Sequence, residues 1–212
     1  MRRLNFLKFI VVVLLLCVSL LGNQTRVQAS APQEFSHQIN AQYDIKDNGD
    51  AYVEYQFKTT NKLKNNYLRT FELTLPFEPL NIRVSESETA IKIKNLTKVT
   101  STNIYKLEID ILAPTYGLGK SFNWRFSFDL KGVVLKHGTQ KTVTLPTFAN
   151  DPNILSYSIL LSIPKVIGAI NRIYGQAGIQ ETTERYFLSF SNTNNLASSL
   201  IVLIGSGQQY LV

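Results

Sequence analysis

The decapeptide SFNWRFSFDL (residues 121–130) carries Phe122, Trp124, Phe126, Phe128 and Leu130 at every second position. Side chains alternate across an extended strand, so all five fall on one face, whereas an α-helix would scatter them around its axis. Buried at roughly 1.5–3 kcal/mol each, they demand a central core strand. The same period recurs through Ile39, Ala41, Tyr43 and Ile45; Ala51, Val53, Tyr55 and Phe57; Phe71, Leu73 and Leu75; Ile82 and Val84; Ile91 and Ile93; and Tyr105, Leu107, Ile109 and Ile111. Val143 and Leu145 before Pro146, then Tyr157, Ile159, Leu161 and Ile163 before Pro164, complete the series. Helical spacing is scarce: Val166, Ile167, Ile170 and Ile173 predict one short helix. Many short strands between polar turns imply an all-β protein, two antiparallel sheets packed as a β-sandwich, Ig-like or related. Lys92 and Lys94 suit an edge strand, where charge discourages sheet-to-sheet association.

DIKDNGDAYVEY (residues 44–55) invites comparison with a calcium loop. With Gly49 as the sixth position of an EF-hand, the third is Lys46 and the twelfth Tyr55, so an ammonium and a phenol stand where carboxylates are required. The reading that remains is a hairpin turned at Asn48-Gly49, which adopts positive φ cheaply.

The 212 residues suffice for one large domain or two small ones. Residues 1–29 read as a secretory signal: Arg2, Arg3 and Lys8 form a basic start, residues 9–21 are nearly all apolar, and VQAS offers cleavage after Ala29. Thirteen apolar residues at about 1.5 Å each fall short of the ~30 Å hydrocarbon core, so a retained signal anchor is the alternative. Loss of the signal removes Arg2, Arg3, Lys8 and Arg26 and no acidic residue, taking the net charge from +7 to +3. Much of the basicity therefore belongs to targeting, which argues against a polyanion-binding surface. Cys17, the one cysteine, leaves with it. The expected organisation is a signal at 1–29, a β-sandwich at 32–204, and at 205–212 the truncated start of a following domain. The expected location is secreted or extracytoplasmic, with membrane contact only through an uncleaved anchor.

No residue pattern reaches the threshold for catalysis, metal or cofactor. PTYGLGKS (residues 114–121) has the tail of a phosphate-binding loop, but Pro114 stands where its first glycine belongs and a strand follows instead of a helix; a glycine-rich hairpin loop is the expectation. The histidines His37 and His137 read as solvated turn residues, too far apart for a zinc spacing. Glu108 and Asp110 share a strand face opposite Leu107 and Ile109, a wet one, and Glu54 and Glu72 do no better as glycosidase carboxylates. Lys58, Lys62, Lys64 and Arg69 are the densest cationic group, and a solvated hairpin tip accounts for them without nucleic acid. Tyr116, with Tyr67 near it, is the candidate for stacking on sugar rings, which makes Tyr116, Gly117, Gly119 and Lys120 the candidate ligand-contact loop.

Six segments in order, YDIKDNGDAYVEYQFKTTN, YLRTFELTLP, GLGKSFNWRFSFD, TVTLP, LLSIPKVIG and SLIVLIGSGQQY, resemble the N-terminal extracytoplasmic β-sandwich of bacterial transglutaminase-like membrane proteins. The resemblance runs from about Gln38 to Tyr210. It implies an accessory module outside the cytoplasmic membrane, in a family whose papain-like cysteine domain lies downstream. That family's cysteine, histidine and aspartate have no counterpart in these residues, so no catalytic role carries over. The expectation is an exported non-catalytic accessory, spacer or protein-interaction module with a protein or cell-envelope partner; the alternative is a cell-wall glycan-binding module.

Overall fold

The computed structural model describes residues 34–75, 77–84, 91–99, 104–113, 116–146, 152–191 and 199–205. The expected signal at 1–29, most of the 205–212 segment, and Pro114 and Thr115 lie outside them. The described chain is all-β and sandwich-like. One sheet has seven strands: β1 (Phe35–Ile45), β2 (Ala51–Asn61), β4 (Leu80–Val84), β7 (Ser121–Leu130), β10 (Ile154–Pro164), β12 (Gly178–Glu181) and β13 (Arg185–Phe190), in the order β12-β13-β10-β1-β2-β7-β4. A four-stranded sheet joins β8 (Val134–His137), β9 (Gln140–Pro146), β11 (Ile170–Tyr174) and β14 (Ser199–Ile204) as β11-β14-β9-β8. A three-stranded sheet orders β3 (Thr70–Leu75), β5 (Ile91–Lys98) and β6 (Tyr105–Ile111) as β3-β6-β5.

Both smaller sheets cover the same face of the large one. On β1, β2 and β7 the inward positions in register include Tyr43, Val53 and Phe128, then Ile39, Phe57 and Trp124. At one end of that face the Tyr43 hydroxyl donates to the Pro146 carbonyl of β9 (2.7 Å). Near the other, Phe71 of β3 packs edge-on against Phe57 and Trp124, with ring centroids 5.3 and 5.1 Å apart. The second layer of the sandwich is thus divided between two sheets. The aromatic stripe of β7 is buried throughout, and Phe57 stacks on Trp124 at 4.0 Å with 6° between ring planes. A cluster with this much aromatic area supplies the dominant burial term for β2 and β7.

The hairpin at 44–55 forms as expected, pairing Ile45 with Ala51. Its turn places only Gly49 in the left-handed region (φ +86°), while Asn48 Oδ1 accepts the Asp50 N–H at 3.0 Å. The Asp50 carboxylate is occupied by the Gly132 N–H and the Asn48 amide, which gives it a structural task. Lys92 and Lys94 do lie on an edge strand, β5.

Four local expectations change. The β1–β10 ladder is parallel within an otherwise antiparallel sheet, from Gln38 opposite Ser156 to Asp44 opposite Ser162. Alternation assigns a residue to a face but not a strand to a direction. The short helix expected around Val166–Ile173 is a single 3₁₀ turn (Lys165–Ile167) followed by β11. A bulge between Ile170 and Arg172 adds a residue and reverses the phase, so Ile170 and Ile173 both pack inward at a spacing that imitates a helix. His37 is no turn residue: it lies in β1, 6% exposed, with Nδ1 3.0 Å from Thr59 Oγ1. Finally, residues 62–69 and 112–120 are not hairpin loops, because β2 and β7 belong to the large sheet while β3 and β6 belong to the three-stranded one.

Candidate functional site

Those two inter-sheet crossovers meet at one end of the sandwich. The pairings Phe35–Asn61 and Thr60–Ser121 bring the start of β1, the end of β2 and the start of β7 together. There the Asn61 N–H donates to Lys120 O (2.9 Å), the Gly119 N–H returns a bond to Asn61 O (2.8 Å), and the Lys120 N–H closes a turn on Gly117 O (3.2 Å). Gly117 and Gly119 hold φ values of +105° and +75°, a backbone that strains any residue with a Cβ, so the glycines set the loop's course. On the other side the Ile111 N–H donates to Arg69 O (2.8 Å), tying the end of β6 to the 62–69 crossover.

The loop projects Tyr116, and the expected neighbour is there: the Tyr67 ring centroid lies 4.5 Å from it, tilted 47°. Tyr116 is 61% exposed and Tyr67 36%. Desolvation by its surroundings, then the Tyr67 hydroxyl, raise the Tyr116 phenol above the ordinary range. Two leucines that the sequence did not single out lie exposed on the same crossover as Tyr116, Leu112 (59% exposed) and Leu118 (64%), while Leu68 is buried and anchors the other crossover. Lys62, Lys64, Arg69 and Lys120 are exposed around the same two segments. Lys120 therefore belongs to the loop as expected, and three of the four cations of the Lys58–Arg69 group join it there. No sequence signal marks this assembly, because it depends on both crossovers switching sheets at one end.

The other candidates disperse into structural roles. Glu108 and Asp110 lie on the outer face of the three-stranded sheet, where Glu108 pairs with Lys94 (3.3 Å) and Asp110 accepts from Thr70 (3.1 Å). Glu72 pairs with Lys106 across that face (2.8 Å), and Glu54 accepts from Gln56 (2.7 Å). His137 is exposed at the end of β8. Asp129, unremarked in the sequence, gathers Lys46 (2.9 Å), Asn81 (3.0 Å) and Arg83 (3.1 Å) at the far end of β7. The bonds from Lys46 and Asn81 depress its pKa to about 2. A shallow groove of about 330 Å³ crosses the outer face of the large sheet, lined by Asn40, Gln42, Gln56, Ser158, Leu160 and Ser189. Its lining mixes uncharged hydrogen-bonding side chains with apolar ones such as Leu160 and carries no charged group, the ordinary composition of the solvated side of a half-buried sheet.

No protein-family model and no curated protein matches the sequence. Solved structures resemble this chain at low sequence identity. A candidate nutrient-binding protein of Legionella pneumophila superposes with a TM-score of 0.52 at 9% identity, over 82% of this chain and 68% of that one. An M1 zinc metallopeptidase of Deinococcus radiodurans gives 0.40 at 11% identity over 82% of this chain, and a candidate protease of Parabacteroides distasonis gives 0.43 at 11% over 83%. The chain spans 42% and 41% of the lengths of these two. At 9% identity the first likeness establishes a common β architecture and nothing about ligands.

Proposed function

We propose that this chain is an exported, non-catalytic β-sandwich that works by surface contact, as an accessory or spacer module of the transglutaminase-like kind. One observation carries the reading: Tyr67, Leu112, Tyr116 and Leu118 stand exposed on two crossovers joined by the Tyr67–Tyr116 ring contact, an apolar projection of the sort that contact surfaces use. The six-segment resemblance supplies the accessory role and the extracytoplasmic location. A cell-wall glycan is the second reading, because the Tyr67–Tyr116 pair offers ring faces to a sugar.

The experiment compares the wild-type chain with Tyr67→Ala/Tyr116→Ala on isolated cell-envelope material. Retention that drops at least tenfold in the variant is expected. Equal retention of the two proteins, or hydrolase or transferase turnover by the wild type, would sink the proposal. Fractionating the envelope into insoluble wall and membrane then separates the glycan reading from other targets.

A further inference from the structure

The aromatic pair is only part of what the crossovers expose. Sugar stacking uses Tyr67 and Tyr116 but gives no task to Leu112 and Leu118, whose side chains have no polar edge. It also leaves Lys62, Lys64, Arg69 and Lys120 idle; none of the four forms an ion pair with a described residue. Among the described residues two acidic ones share this end, Glu34 and Asp110, and Asp110 already accepts from Thr70. The tip therefore presents exposed leucines, tyrosines whose rings are apolar and whose hydroxyls are polar, and a cationic surround. That sequence of chemistries matches the depth profile of an anionic bilayer surface: acyl chains, then the interfacial zone that tyrosine prefers, then phosphate headgroups.

Chain connectivity points the same way. The Glu34 carbonyl accepts the Lys62 N–H (2.8 Å), so the first described residue lies at the tip end of the domain. In a chain that retains the apolar run at 9–21 as an anchor, twelve residues separate it from Glu34, at most roughly 45 Å of extended chain.

We infer that the loop tip formed by Tyr67, Leu112, Tyr116 and Leu118, with Lys62, Lys64, Arg69 and Lys120 around it, docks onto the surface of an anionic lipid bilayer. The inference rests on the contact-module reading and names the partner of that same patch. Docking by the tip orients the sandwich outward and sets its distance from the membrane, which is the task of a spacer.

The test uses the full chain carrying Cys17→Ser and Leu118→Cys, labelled at position 118 with an environment-sensitive fluorophore. Vesicles of phosphatidylcholine alone are compared with vesicles containing 30–40% phosphatidylglycerol, roughly the anionic fraction needed for a strong surface potential. The probe reports the tip itself, so anchoring through residues 9–21 alone does not produce the signal. A blue shift with quenching by spin-labelled lipid is expected on anionic vesicles and not on neutral ones. Replacing the four cations by glutamine should weaken the response about fivefold per cation, the factor that about 1 kcal/mol per basic residue implies, and ~0.5 M salt should do likewise. A probe unmoved by anionic vesicles overturns the inference, as does a shift produced only by insoluble wall glycan. If the tip ignores lipid while Tyr67→Ala/Tyr116→Ala still loses envelope retention, the contact module stands and its lipid partner falls; if retention is also unchanged, both fall.

Discussion

Tyr43 is the pivot between the large sheet and the four-stranded one, and its removal should cost more than the removal of its partner. Both Tyr43 and Tyr55 are essentially inaccessible to solvent. The Tyr43 hydroxyl has one proton, which it gives to the Pro146 carbonyl, so the 2.7 Å contact with Tyr55 must be a bond donated by Tyr55. Tyr43→Phe therefore deprives two buried groups at once, the Pro146 carbonyl and the Tyr55 hydroxyl. At roughly 1–3 kcal/mol for each group that loses its bond to Tyr43, the loss is about 2–6 kcal/mol. Tyr55→Phe removes a donor and its acceptor's second bond together, at about 0.5–1.5 kcal/mol. The double variant abolishes the Tyr55 demand and should be no less stable than Tyr43→Phe alone, a clear departure from additivity between contacting residues. Urea unfolding followed through the fluorescence of Trp124, the only tryptophan, measures all four proteins with one buried probe. A Tyr55→Phe penalty equal to or above that of Tyr43→Phe, or strictly additive penalties, would refute the direction assigned to the relay.

Three further outcomes follow from the charges. Burial, as the largest cause, pushes both phenols above their ordinary value of 10.0. The unfolded chain then loses those protons first, so stability that is complete below about pH 10 declines above it, by about 1.4 kcal/mol per pH unit for each phenol; Tyr55→Phe should reduce that slope, and equal slopes would contradict it. Asp129 has the opposite sign: its stabilisation is whole above pH 3.8 and is lost as pH falls through about 2. Asp129→Asn should remove that acid limb, costing only about 1 kcal/mol at pH 7 because Lys46 and Arg83 are half-exposed. Arg185 donates to Ser162 (2.6 Å), to the Ile45 carbonyl (2.8 Å) and to Asp44, pinning β13 to β1 across β10. Lysine cannot reproduce that fork, so Arg185→Lys should cost about 1–2 kcal/mol and speed hydrogen exchange in β13 more than in the β1–β2 hairpin.

What the sequence made legible was the face each residue occupies, wherever the phase ran unbroken. The stripe of β7 and the hairpin around Gly49 were readable for that reason. The phase failed at β11, where one extra residue turned a strand period into a helical one. Polarity misled at His37, although continuing the odd-numbered face back from Ile39 places it inward. It is accommodated because its register partner Thr59 also faces inward, and the Thr59 hydroxyl accepts the Trp124 indole N–H at 2.9 Å. Strand direction and sheet membership are non-local, so the parallel β1–β10 ladder and the divided second layer had no sequence signal. Tyr116 was identifiable as an exposed ring; its company of leucines and cations was not, since it depends on where two chain segments leave the same sheet.

That dependence explains why the tip stays uncovered. A crossover must step off one layer before reaching the other, and both the 62–69 and 112–120 segments do so at the same end. Nothing in the core is spent on Leu112 or Leu118, which keep well over half of their surface in water. Their replacement is accordingly cheap for the fold: Leu118→Ser should leave the urea midpoint within about 0.5 kcal/mol of wild type, as surface changes generally do. The same substitution should still weaken attachment to the envelope. A variant that instead lost stability and attachment together would mean that the tip supports the sandwich, and its exposure would then carry no argument for a partner.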